Sequence, residues 1–229
     1  MKNICVLQHT ETEFLGLMED HFEGRNIRFH YKRPFTAGGT IPADREEFDG
    51  LIILGGGPYG IVSGFLLPSL MPELRLTKSF LDAGLPVVGI ELGALILSVA
   101  AGGGATEAPL RFTIETGTTT APGALGGHLP ATFPVAAYLR DIPVLPSDAK
   151  ILATTQDDIP AVFSVQGNSI GFIGHPGMKS GMAEDLIMEF AETPDDTASS
   201  LEALRNVQGE LAEALSDIMV GISQHTQLM

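Results

Sequence analysis

Pro86-Val87-Val88-Gly89-Ile90-Glu91-Leu92-Gly93-Ala94 decides the fold: an apolar strand over residues 85–90 meets a tight turn, and an apolar helix follows over 94–101. The turn carries glycine at both ends of a G-x-x-x-G spacing, Gly89 and Gly93. A strand–turn–helix of this kind projects one side chain from a sharp bend at a helix N-terminus, where free N–H groups and the helix dipole favour negative charge. In enzymes built this way the projected residue is Cys or Ser, activated by a nearby His. Here it is Glu91.

Outward from the elbow, strand-like and helix-like segments alternate as an open parallel sheet requires. Residues 3–7, 26–31 and 48–54 read as strands, and 14–22 and 72–83 as helices. The fold class expected is α/β, an open and mostly parallel, flavodoxin-like sheet with helices on both faces. Residues 111–134 are rich in Gly, Thr and Ala with weak periodicity, and read as short strands and loops. Asp148, Asp157 and Asp158 read as solvated turn residues.

Three further segments join the elbow in carrying a family resemblance. Phe48-Asp49-Gly50-Leu51-Ile52-Ile53-Leu54-Gly55-Gly56-Gly57-Pro58 lies upstream, and Ile170-Gly171-Phe172-Ile173-Gly174-His175-Pro176-Gly177 downstream. Val6-Leu7-Gln8-His9-Thr10-Glu11 opens the chain. In that order they resemble the class I (triad) glutamine amidotransferases over most of residues 1–190. The opening segment is similar to the stand-alone branch related to GMP synthase amidotransferase domains. The resemblance implies a strand running into a G-G-P oxyanion loop, an elbow of the form P-V-x-G-I-C-L-G-x-Q, and a G-x-Q-F-H-P-E segment bearing the triad His and Glu. It also implies a small antiparallel section after the elbow helix, which 150–153, 161–165 and 169–173 fit. Gly56, Gly57, Leu92 and Leu95 fall at the oxyanion and ligand-binding positions.

The departures from that pattern are systematic. Glu91 stands at the nucleophile position and Leu95 at the substrate-holding Gln, while the base is kept as His175 and the triad acid position is Gly177. A thiolate attacks an amide through a Cys–His pair whose imidazole a carboxylate orients. A carboxylate oxygen is a far poorer nucleophile. The one cysteine, Cys5, sits in the first apolar strand and reads as a small buried hydrophobe. Glutaminase chemistry by the family route is therefore expected to be absent, leaving a non-catalytic binding or accessory subunit.

Several roles remain open for the altered tip. Glu91 could be a helix N-terminal acid filling a vacated pocket, accepting the amides of Gly57 and Leu92, or it could pair with His175 and raise its pKa. It could line a repurposed pocket for a small amine, ammonium or amino acid. It could also act with His175 as base or nucleophile in a different hydrolytic or transfer step on a small amide or amine, from an open pocket lined by Gly57, Glu91, Leu92 and His175. Orthodox glutamine hydrolysis with a partner's nucleophile is a further possibility. A metal held by Glu91, His175 and either His9 or His128 would suit a 2-His-1-carboxylate site, but no ligand-spaced His or Cys motif supports one, so neither a metal nor a cofactor is expected. His21, His30 and His225 carry no distinctive context.

Composition bounds the rest. A chain of 229 residues suits one α/β domain with an appendage, and a net charge of −15 opposes binding to nucleic acid or anionic lipid. No apolar run approaches the ~18 residues a membrane span needs, and the N-terminus enters a strand without a signal-peptide pattern. A cytoplasmic protein is expected. The core domain is expected over 1–192, with a linker and an amphipathic helix over 193–229. Leu201, Leu204, Val207 (or Gln208), Leu211, Leu215, Ile218 and Ile222 make one apolar stripe, opposite Glu202, Glu210, Glu213 and Asp217. That stripe either folds back onto its own domain or builds a homodimer or docks on a larger enzyme through residues 201–222, with partner docking slightly favoured.

Overall fold

The computed structural model describes residues 1–45 and 48–228. Its strands are β1 (Asn3–Leu7), β2 (Arg28–Lys32), β3 (Gly50–Ile53), β4 (Tyr59–Gly60), β5 (Phe65–Leu66), β6 (Val87–Ile90), β7 (Gly104–Thr106), β8 (Arg111–Thr119), β9 (Thr132–Leu139), β10 (Ile142–Val144), β11 (Lys150–Thr154), β12 (Pro160–Val165) and β13 (Ser169–Phe172). Its helices are α1 (Met18–Gly24), α2 (Leu70–Asp82), α3 (Leu92–Ala100), α4 (Ser180–Glu189) and α5 (Thr197–Thr226).

Nine strands form one sheet in the order β2-β1-β3-β6-β13-β12-β11-β8-β9. β2, β1, β3, β6 and β13 run parallel, and the pairings from β13 through β12, β11 and β8 to β9 are antiparallel. The α/β class expected from sequence is the class observed. Side chains alternate between the two faces of the central strands as the pleat demands. Ile4, Val6 and Ile52 face the layer holding α1 and the end of α5, while Cys5, Leu7, Leu51 and Ile53 face the layer of α2 and α3. Cys5 is the buried apolar residue expected, and burial pushes its thiol up to about 12.

Residues 111–134 depart from the reading of short strands and loops. β8 is nine residues long and pairs along its length with β9. Its Thr-rich sequence hides the strand from a hydrophobic-pattern reading, although β-branched Thr favours the pleated conformation. Gly117 leaves the space that the Phe133 ring occupies. Pro134 is tolerated because β9 is the last strand of the sheet.

α5 is 30 residues long. Its apolar stripe does not project outward. Leu215, Ile218, Met219 and Ile222 join the core that holds Ile4, Val6 and Ile90, and Leu204 and Leu211 pack with Phe112, Tyr138 and Leu186. Of the two fates read for the stripe, folding back is the one the structure adopts. Glu202, Glu210, Glu213 and Asp217 remain exposed on the outer side. No described helix is long and apolar enough to cross a membrane.

Candidate functional site

The carboxyl ends of the parallel strands gather the residues singled out from sequence, as open α/β sheets do. β6 delivers Glu91 at φ 53°, ψ −114°, a sparsely populated conformation for a residue with a side chain. The strain is held by its surroundings. The Glu91 N–H donates to Phe172 O at 2.8 Å, and the Glu91 carbonyl accepts Ala94 N at 2.9 Å. The two glycines of the elbow are steric requirements: a Cβ on Gly93 would strike Ile53 O, and one on Gly89 would strike Gly93 O. A nucleophile-elbow backbone is therefore present, with a carboxyl at its tip.

That carboxyl is neither in the oxyanion position nor paired with His175. Glu91 Oε1 accepts the Tyr138 N–H at 2.7 Å, and Glu91 Oε2 faces Glu13, on the loop after β1. A Cβ on Gly55 would collide with both Glu13 Oε1 and Glu91 Oε2, so the two oxygens meet over the Gly55 α-carbon. Glu13 Oε2 takes the Gly57 N–H at 2.5 Å. Thus the Gly57 amide, which the resemblance would make an oxyanion donor, is occupied by Glu13, a residue that the sequence reading does not single out. Glu13 and Glu91 are 1 % and 0 % exposed. Burial raises the pKa of both, and the Glu13 charge adds to the rise at Glu91. The available signal is positional, since a carboxylate in the loop after β1 must lie among the strand ends.

His175 departs furthest from expectation. Its Nε2–H donates to Phe14 O at 2.8 Å, and its Nδ1 accepts the Gly177 N–H at 3.1 Å. A carbonyl can only accept and an amide N–H only donate, so the ring is neutral with its proton on Nε2. Burial lowers its pKa to about 4, opposite to the rise expected from a Glu91 ion pair. Both ring nitrogens are engaged by backbone, Nε2 on the loop of residues 14–17 and Nδ1 on its own segment at Gly177, and no described ion pair or hydrogen bond joins His175 to Glu91. Gly177, which the resemblance aligns with a triad acid, is pressed against the loop of residues 14–17: a Cβ there would meet Leu15 O at 2.8 Å and Met18 Cγ at 2.9 Å. Backbone fills the space in which an acid side chain would begin.

The other positions that the sequence resemblance singles out are packed rather than open. The Leu92 side chain occupies the volume over Gly56, and Leu95 lies wholly in the core beside Cys5 and Leu7. Gly57 is covered by Leu186 and Phe190, at the end of α4. Glu189 receives the Glu11 N–H at 3.1 Å and the Thr12 hydroxyl at 2.8 Å, tying α4 to the loop that carries Glu13. Arg140 donates from Nε to Pro58 O at 3.0 Å and pairs with Glu192, which anchors the glycine loop from the other side. The open pocket expected around Gly57, Glu91, Leu92 and His175 is closed.

His9 serves this architecture from beside the pair. Its Nδ1–H donates to Gly55 O at 2.7 Å, and Nε2 meets Glu73 Oε2 at 2.9 Å, with both side chains fully buried. Burial opposes the charged ring, but the Glu73 carboxylate and the two hydrogen bonds outweigh it and raise the His9 pKa. A surface cavity of about 230 Å³ lies outside it, lined by Phe35, Tyr59, Leu67 and Ser69. His128 bonds Gln224 instead of approaching Glu91. No group of three His, Cys, Asp or Glu among the described residues is arranged to hold a metal.

No protein-family model matches the chain, and no curated protein matches it in sequence. Its fold is nevertheless shared with solved structures. A glutamine amidotransferase from Methylobacillus flagellatus superposes with a TM-score of 0.83 at 20% identity, covering 99% of this chain and 95% of that one. A glutamine amidotransferase from Thermotoga maritima gives 0.79 at 22% identity, over 99% and 98% of the two chains. These matches embrace nearly the whole chain, α5 included. The fold is that of a glutamine amidotransferase.

Proposed function

We propose that this chain is a glutamine amidotransferase-like protein without glutaminase activity, serving as a binding or accessory subunit. The observation that carries the reading is the occupied elbow: Glu91 points into Glu13, and Glu13 holds the Gly57 amide. A tetrahedral oxyanion needs a free N–H donor and a nucleophile beside a basic imidazole. Here the donor has a resident carboxylate, the nucleophile is absent, and His175 uses both nitrogens on backbone groups. Rearrangement of the Glu13 loop would be needed before a small amine or amino acid could reach the elbow. A partner contacting residues 201–222 would meet the polar outer face of α5, since the apolar stripe is internal. The cytoplasm is the expected setting for such a subunit.

The test is glutamate and ammonia release from glutamine by the purified wild-type chain beside Glu91→Ala. No turnover above the uncatalysed rate is expected from either. Wild-type turnover that Glu91→Ala abolishes would overturn the reading and make Glu91 an unusual catalytic carboxylate.

A further inference from the structure

Glu13 and Glu91 bring two carboxyl groups together in a place that water does not reach. Each has one oxygen served by a backbone donor, Gly57 N–H for Glu13 Oε2 and Tyr138 N–H for Glu91 Oε1. The two oxygens left over, Glu13 Oε1 and Glu91 Oε2, are the ones that face each other, and neither has another partner. Two ionised carboxylates in that position would leave adjacent buried charges of the same sign with no donor between them. One proton placed between them gives a carboxylic acid donating to a carboxylate and satisfies both orphaned oxygens at once.

We propose that Glu13 and Glu91 share a single proton at neutral pH, and that this proton is the latch holding the loop of residues 10–17 closed over the elbow. Loss of the proton forces the two carboxylates apart. Glu91 is fixed in the elbow backbone, so Glu13 is the partner that moves, and its departure frees the Gly57 N–H. The loop that carries Glu13 is anchored at its far end by Leu15 in the core, with Leu17 packed beside it. It is otherwise held by hydrogen bonds that can re-form or be replaced by water: Glu189 on Glu11 and Thr12, His175 on Phe14, Tyr31 on Leu15 and Gly177 on Leu17. The charged and titratable groups around the pair come from every element packed on it. They are His9 from the end of β1, with Glu73 of α2 behind it; Glu189 of α4; and Tyr138 of β9, flanked by Arg140 and Glu192. The His9 imidazolium favours an anion on Glu13, whereas Glu189 opposes one, so neither neighbour replaces the proton. The latch is a property of the closed elbow and does not depend on whether the chain turns over glutamine.

Infrared spectroscopy of the full chain tests the first half directly. At neutral pH the wild type is expected to show the carbonyl stretch of a buried protonated carboxylic acid, lost in both Glu91→Gln and Glu13→Gln. Absence of the band in wild type, or its persistence in both variants, would overturn the proposal. Amide exchange tests the second half. Opening linked to release of one proton makes the Gly57 exchange rate rise about tenfold per pH unit beyond the intrinsic chemical dependence. In Glu91→Gln the new amide donates to Glu13 without titrating, so the excess is expected to vanish in that variant. An identical pH dependence in wild type and Glu91→Gln would overturn the latch; if Glu91→Gln does not fold, the same comparison is made with Glu13→Gln.

Discussion

Glu91 and His175 stand where the sequence resemblance would put a nucleophile and its base, yet each is satisfied by something other than the other. This separates restoring a nucleophile from restoring activity. Glu91→Cys is expected to give no glutamate release and negligible alkylation by iodoacetamide, because the new thiol would be buried, unpaired with His175 and adjacent to Glu13. Burial, the largest of the causes acting on it, already pushes Cys5 up to about 12. Rapid alkylation of the thiol introduced by Glu91→Cys at neutral pH would mean that the elbow opens readily. His175 yields a second expectation. Nitrogen-15 imidazole spectra should report a neutral, Nε2-protonated ring from about pH 8 down to about pH 5. An imidazolium signal in that range would contradict the Gly177 N–H to Nδ1 bond.

At the scale of elements, the elbow is readable because its constraints are local. The spacing of Gly89 and Gly93 follows from helix α3 lying against β6 and β3, and the prediction from it is sharp. Gly93→Ala places a methyl on Ile53 O and is expected to destabilise the chain by about 1–3 kcal/mol or more in urea unfolding. An unchanged midpoint would mean that the contact relaxes without cost. The apolar stripe of α5 is equally legible as a pattern, but a periodicity states that a face is buried and not against what. The structure assigns it to the chain's own core. Leu215→Ala or Ile222→Ala should therefore cost about 2–5 kcal/mol of monomer stability at any protein concentration, where a docking stripe would leave the monomer unaffected. β8 escapes detection because its Thr and Gly residues lack the apolar alternation that marks a half-buried strand. Glu13 escapes for a different reason: it lies 78 residues before Glu91 in sequence, and only the assembly of β1 beside β3 and β6 brings them together. Likewise, the sequence marks His175 as a kept residue, while its hydrogen-bond direction depends on the loop after β1.

Across the whole molecule these buried groups make stability depend on pH in a way that the sequence charge does not. An unfolded glutamate releases its proton near 4.5, whereas burial holds one on the Glu13–Glu91 pair to higher pH. From there upward the folded state binds more protons than the unfolded one, so stability falls as pH rises. His9, raised by Glu73, acts in the same direction above its unfolded value of 6.5. His175 acts oppositely: its unfolded ring protonates near 6.5 but the folded one only at about 4, so its contribution is complete above 6.5 and is lost as pH drops through that window. Between about pH 4.5 and 6.5 the terms oppose, giving a shallow plateau; above it, stability declines. A net charge of −15 also favours unfolding through self-repulsion, but surface repulsion is screened by salt, with a Debye length of about 3 Å at 1 M, while a buried pair is screened far less. Thermal midpoints measured across the plateau and above it, at low and at about 1 M sodium chloride, therefore separate the two. The alkaline decline is expected to persist in high salt and to be shallower in Glu91→Gln, the difference between variant and wild type measuring the pair. The remainder belongs to the other groups held protonated in the fold, His9 and, at more alkaline pH, Cys5. A decline that high salt removes entirely would assign it to surface charge and leave the carboxyl pair without a role in the stability of the closed fold.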